Sequence, residues 1–284
     1  MRNGSILNNN NEQKTNELLI GAVAYSPNVV PIWEGIKDYF RETDTPMDFV
    51  LYSNYERQVE SLIAGHVDVA WNTNVAWIRT LHQTDGKARA LATRDTDLVF
   101  TTVFVSRSGS GLKSLESLKN KRVALGSRDS GQARILAEHY LAQAGIDKDN
   151  CTFIIFDSDV GKHGDTGRSD LDALRAVLND EADVAAIGVN TWNNLNAAGD
   201  ESTSDLEVVF ESEQYSHCNF TTLRPDKDPL IERWVNNLLK MDWEIPEHRV
   251  VLELEGLKEW KLPNLDGYKS LEMAMETQGI SDRW

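Results

Sequence analysis

Two stretches far apart in the chain carry the same pattern, and this duplication constrains the fold more than any other feature. His66-Val-Asp-Val-Ala-Trp71 and Glu181-Ala-Asp-Val-Ala-Ala186 each follow a helix-like segment and each run into a polar loop. Trp77 and Trp192 fall at matching places, eleven positions past His66 and Glu181. Two copies do not make a solenoid. They predict two similar α/β lobes rather than one long sheet.

The intervening segments agree. Glu17–Tyr25, Met47–Tyr52 and Val67–Trp71 read as buried strands. Pro31–Arg41, Glu56–Ala64 and Val75–Thr84 carry apolar residues at helical spacing, and Gly65 stands where a helix ends. Such alternation predicts parallel strands with right-handed crossovers. The second half repeats the scheme, with strands at 121–125, 151–156 and 182–189 and helices at 132–144 and 169–178. Two more helices are expected over 229–239 and 268–278. Leu98–Ser106 and residues 205–213 are extended and predict two crossovers between lobes. The expected division is a disordered, Asn-rich segment 1–16, a first lobe of 17–100 with 211–284, and a second of 101–210.

Composition excludes several classes of function. A formal net charge of −16 argues against nucleic acid and against anionic membrane as partners. No apolar run approaches the ~20 residues of a transmembrane helix. Cys151 and Cys218 match no metal or redox spacing; one disulfide or two buried thiols are both open, with free thiols expected. Residues 1–16 hold no apolar stretch of signal-peptide type, so the protein is periplasmic or cell-surface if a signal was removed and cytoplasmic as written. No cofactor is expected, since neither the Walker nor the dinucleotide spacing occurs.

The stretch Val123 to Arg134 is the leading candidate for a site. A strand runs through Gly126-Ser-Arg-Asp-Ser-Gly131 into a helix. Free N–H groups and the positive helix end make a seat for phosphate, phosphonate, sulfonate or carboxylate. The plainer reading is a turn capped by Asp129 or Ser130. Arg128 either adds a cation or points to solvent. The loop Asp157–Arg168 is long and charged; Asp157, Asp159, His163 and Asp165 have no diagnostic metal spacing, and no metal is expected. His66 reads as a surface turn residue. His217 and Cys218, adjacent on an extended segment, should point to opposite faces. Trp71 and Trp77 read as core, whereas Tyr25, Tyr52, Tyr55 and Trp192 stand at strand ends where they could wall a small ligand.

Gly21–Pro27, Tyr52-Ser-Asn-Tyr-Glu56, Ala64–Trp71, Ser110–Lys119 and Val123–Asp147 together resemble the type II periplasmic solute-binding proteins of ABC importers, most closely the phosphate/phosphite/phosphonate-binding branch. The resemblance spans residues 17 to about 240. It implies a ligand held between lobes at the loops that follow the strands. Its contacts would come from Tyr25 and Ser26, from Tyr52, Ser53, Asn54 and Tyr55, from Asn72 and Asn74, from Ser127, Asp129, Ser130 and Gly131, and from Asn190 and Trp192; Arg128, where the loop departs from the family's Ser- and Thr-rich pattern, is a candidate of this chain's own. His163 joins them from the long loop.

Two functions follow. One is a binding protein that closes by hinge motion over a small anionic or zwitterionic organic ligand, with an ABC permease as partner. The other is a lyase, decarboxylase or cofactor-biosynthesis enzyme on the same fold, with His163 and Asp165 (or Asp157) as acid and base. The binding protein is the favoured reading.

Overall fold

Each of the two sheets grows around one short strand. The computed structural model describes residues 17–162, 167–199 and 201–282, so segment 1–16, His163 and Asp165 lie outside the described residues. In the first half, Leu18–Val23 (β1) pairs in parallel with Met47–Tyr52 (β2) and Val69–Asn72 (β3). Helices Val29–Arg41 (α1), Tyr55–Ile63 (α2) and Asn74–Gln83 (α3) follow these strands, and Arg89–Arg94 (β4) comes next. The second half contains Thr102–Arg107 (β5), Arg122–Leu125 (β6), a π-turn over Gly131–Ile135, Leu136–Gln143 (α4) and Thr152–Ile155 (β7). It continues with Arg168–Leu178 (α5), Val184–Gly188 (β8), Val189–Ala197 (α6) and Leu206–Glu211 (β9). The chain then returns through Asn219–Thr222 (β10), Pro229–Leu238 (α7), Pro246–Glu255 (α8), Trp260–Lys261 (β11) and Lys269–Gln278 (α9).

The sheet orders are β11-β4-β10-β3-β1-β2 and β7-β6-β8-β5-β9. Both are mixed: β10 runs antiparallel to β3 and β4, and β5 runs antiparallel to β8 and β9. The all-parallel expectation therefore holds only for the strands that carry helical crossovers. The two expected crossovers also shift. Most of each becomes β5 or β9 of the second sheet, which leaves 95–101 and 212–218 as the passages between lobes.

The duplicated Asp has the same task in both lobes. Asp68 accepts the Leu19 N–H at 2.9 Å, and Asp183 accepts the Arg122 N–H at 2.7 Å. Each carboxylate thus ties the strand after it to the central neighbour, and each carries an arginine, Arg224 and Arg122. The sequence repeat is a repeated fastening.

Helix α1 buries Val29, Ile32, Trp33, Ile36 and Phe40, one stripe at helical spacing, against the first sheet. Phe40 stacks on Trp234 at 5.3 Å, and Phe220 meets the same indole edge-on at 5.0 Å. The second lobe packs Leu118, Val123, Leu125 and Leu141 on one side of its sheet and Val103, Ala173, Val177 and Ile187 on the other. A further cluster belongs to both lobes. Val75 and Ile78 of α3, Ile135 and Leu136 of the second lobe, and Leu271 and Met275 of α9 pack together behind the passages. Cys151 and Cys218 are buried thiols that are not joined in a disulfide.

Candidate functional site

Helices α2, α3 and α5 and the π-turn all begin at the gap between lobes, because each follows a strand whose end faces it. The closest approaches are specific. The Tyr55 N–H donates to the Gly161 carbonyl at 2.7 Å. A Cβ on Gly161 would stand 3.1 Å from Asn54 Cβ, and one on Gly131 would stand 2.6 Å from Asn74 Oδ1. Beside these contacts lies a cavity of about 400 Å³, lined by Tyr25, Ser26 and Leu254 on one side and Asp159, Lys162, Gly167 and Arg168 on the other.

The structure brings many of the expected residues to this gap. Tyr25 and Ser26 wall the cavity. Asn54 caps α2 through Arg57 N at 2.9 Å while its Cβ lies against Gly161. Asn74 is wholly buried, accepts from Val75 N at 2.9 Å and abuts Gly131. Ser53 is exposed beside Asn54.

Several others are corrected. Asn72 ends β3 with no exposed surface, and Gln58, Thr80 and Thr221 satisfy its amide inside the first lobe. It is a core residue. The Tyr52 hydroxyl donates to Ser61 at 2.6 Å, and the Tyr55 ring packs with Val23, Val59 and Ala76 while its backbone N–H reaches across to Gly161. Asn190 and Trp192 belong to the first turns of α6 rather than to a loop, and Trp192 packs on the core of the second lobe. His217 and Cys218 were expected to diverge. Instead, His217 Nδ1 lies 3.0 Å from Cys218 Sγ, because the pair precedes β10 and does not share its pleat. Both side chains are buried.

The loop Ser127–Gly131 combines both of its readings. Ser130 is a true cap: its Oγ accepts from Ala133 N at 3.1 Å. Arg128 points to solvent, and its N–H donates to Asp157 at 2.9 Å. Ser127 donates its hydroxyl to Asp159, whose other oxygen faces the Ser169 N–H at 3.4 Å. Asp129 is buried and accepts the Gly161 N–H at 2.6 Å. Carboxylates of the chain itself therefore occupy positions where amides and hydroxyls of a helix start would receive an anion.

Of the cations near the gap, the sequence reading includes Arg128 and the charged loop that ends at Arg168, but not Arg79 or Lys162. Arg79 of α3 is 3% exposed, and burial pulls its guanidinium down to about 10 against the charges of Asp129 and Glu56. The signal was present: one arginine inside the buried run Val75–Thr80. Lys162 and Arg168 add two exposed cations across the cavity. Arg168 closes the charged loop that the sequence singles out, whereas no periodicity marks Lys162.

Two groups among the described residues bring possible metal-ligand atoms within 4.8 Å of one another: Asp97, His217 and Cys218, and His82, Glu272 and Glu276. In the first, Arg94 forks onto both Asp97 oxygens at 2.6 and 2.9 Å, so a cation would meet an already neutralised carboxylate. The second is partly exposed, with His82 from α3 and both glutamates from α9.

The chain is similar to the probable ABC transporter phosphite binding protein PhnD1 of Prochlorococcus marinus (strain MIT 9301), at 25% identity over 247 residues, covering 83% of this chain and 80% of that one. The structure of PhnD1 in complex with methylphosphonate superposes with a TM-score of 0.74 at 21% identity, covering 93% of this chain and 99% of that one. A binding protein component of an ABC phosphonate transporter from Pseudomonas aeruginosa gives 0.67 at 16% identity, with coverage of 94% and 87%. These superpositions show the fold. No helix among the described residues is long and apolar enough to cross a membrane. Residues 22–268 match the family described as ABC transporter, phosphonate, periplasmic substrate-binding protein, and the chain belongs to that family.

Proposed function

We propose that the chain captures a small phosphonate-, phosphite- or phosphate-type anion between its lobes and presents it to an ABC permease, with no chemical change to the ligand. The lobes in this reading are 17–100 with 211–284, and 101–210. The observation that carries it is the interlobe cavity, where the start of α5 and the cations Lys162 and Arg168 face Tyr25 and Ser26. Arg79 supplies a buried positive charge beside Asp129. Ser127, Asp129, Ser130 and Gly131 form the loop behind that cavity, with Ser127 bonded to Asp159 of its lining, and Asn54 and Asn74 are the first-lobe residues that meet Gly161 and Gly131 on closure. Family membership favours binding over the lyase or decarboxylase alternative.

Thermal-shift measurements with methylphosphonate, phosphite, phosphate, an alkanesulfonate and small carboxylates test this. A ligand at 100 times its dissociation constant adds about 2.7 kcal/mol and raises the Tm by several degrees. The phosphorus oxyanions should give the largest shift. A larger shift with sulfonate or carboxylate would replace the ligand class, and no shift with any of them would remove the proposal.

A further inference from the structure

The two passages between lobes are fastened to each other. Phe100 and Tyr215 exchange backbone hydrogen bonds of 3.2 and 2.9 Å, and the His217 N–H donates to the Asp97 carbonyl at 2.9 Å. A short antiparallel ribbon results, and any rotation of one lobe against the other turns about it.

Gln132 joins this ribbon to the binding loop. It is wholly buried and is the residue after Gly131. Its carbonyl accepts from Thr102 Oγ1 at 2.9 Å, and its side-chain Oε1 lies 3.3 Å from His217 Nε2. The imidazole is held on every side. Phe100 stacks on it at 4.3 Å and 19°, Asp97 Oδ1 lies 3.5 Å from Nδ1, and Arg94 holds Asp97. Arg94 ends a strand of the first sheet, whereas Gln132 stands in the second lobe. The line Arg94–Asp97–His217–Gln132 thus crosses the hinge and ends one residue from the contact between Gly131 and Asn74. The helix opens there with a π-turn, a local feature common where a helix serves a site.

We infer that Gln132 and His217 are positioning residues that couple the hinge to the binding loop, their contact being made in the closed arrangement and lost on opening. Neither lines the interlobe cavity. The inference rests on the proposed binding function for its meaning, but its structural part stands separately. Gln132→Met keeps the length and removes the acceptor. His217→Asn can still reach Asp97 but not Gln132.

The test joins calorimetric affinities for methylphosphonate and phosphite with the distance between spin labels at Glu60 and Lys148, both exposed and one in each lobe. Gln132→Met should lengthen the label distance and weaken both ligands by the same factor, about fivefold to tenfold, as expected for one lost buried hydrogen bond. His217→Asn in the Gln132→Met background should add less than about twofold. Unchanged distances in Gln132→Met, unequal losses for the two ligands, or full additivity of the two substitutions would overturn the coupling. If the wild type binds neither ligand, the proposed function fails, and the label distances alone still decide the coupling.

Discussion

Replacing Gly131 by alanine should hold the lobes apart while leaving each one folded. The backbone of Gly131 is not in the left-handed region, so alanine meets no conformational penalty there. The penalty comes from contact across the gap. The added Cβ would stand 2.6 Å from Asn74 Oδ1 and 3.2 Å from both Cγ and Nδ2 of the same side chain. Asn74 cannot easily retreat, since it is wholly buried, holds Val75 N at 2.9 Å and faces the Ser216 carbonyl at 3.5 Å. Overpacking of this kind costs about 1–3 kcal/mol, which appears as roughly a fivefold to 150-fold loss of affinity if binding requires closure. Calorimetric titration with methylphosphonate reads the loss, and a thermal melt checks that the fold survives. Asn74→Ala removes the obstructing amide, so the double variant should recover most of the affinity. Gly131→Ala binding within threefold of wild type would refute closure at this contact. Failure of Asn74→Ala to rescue would show that the clash is not the cause.

Three other perturbations separate the roles assigned above. Asp159→Asn removes a negative charge from the seat at Ser127 and Ser169; at ~5 Å and an effective dielectric of 20 a like charge costs about 3 kcal/mol, so anion affinity by calorimetry should rise at least tenfold. Weaker binding would mean that this carboxylate receives a proton-bearing group of the ligand. Asn72→Ala should lower stability by about 1–3 kcal/mol in denaturant melts and leave the dissociation constant unchanged, because its partners all lie in the core of the first lobe. Burial pushes the Asp97 carboxyl up, but the charge of Arg94 and the hydrogen bonds from His217 and Arg94 outweigh it and hold the group at about 2, below the ordinary 3.8. Its stabilising contribution of about 2 kcal/mol is therefore present above pH ~4 and lost as pH falls towards 2, so acid melts of wild type and Asp97→Asn should converge in that window.

The lobed architecture was legible because its cause is local. Asp68 and Asp183 each bond a neighbouring strand's N–H, and the Asp-Val-Ala pattern repeats because that bond repeats. What escaped detection depends on partners distant in sequence. Asn219-Phe-Thr-Thr222 is polar and short, yet it forms a wholly buried central strand, because Thr221 bonds Asn72 and Thr222 bonds the Asp68 carbonyl. The Asn-rich start of α6 read as a loop, since helix propensity there is weak and docking on the second lobe supplies the order. At the site, the glycines and serines of 126–131 marked a helix start correctly. Periodicity could not show that Asp159 sits over Ser127 or that Arg79 turns inward beside Asp129. The first placement depends on a loop 32 residues further along the same lobe, and the second on the meeting of the two lobes.

The most direct test of a phosphorus oxyanion seat between the lobes is a crystal structure of the chain grown with methylphosphonate. The account predicts phosphonate oxygens within hydrogen-bond distance of the Ser127–Gly131 loop or the start of α5, with the Tyr55–Gly161 and Gly131–Asn74 contacts retained. Phosphonate bound elsewhere, or lobes parted around an empty cleft at saturating ligand, would contradict it.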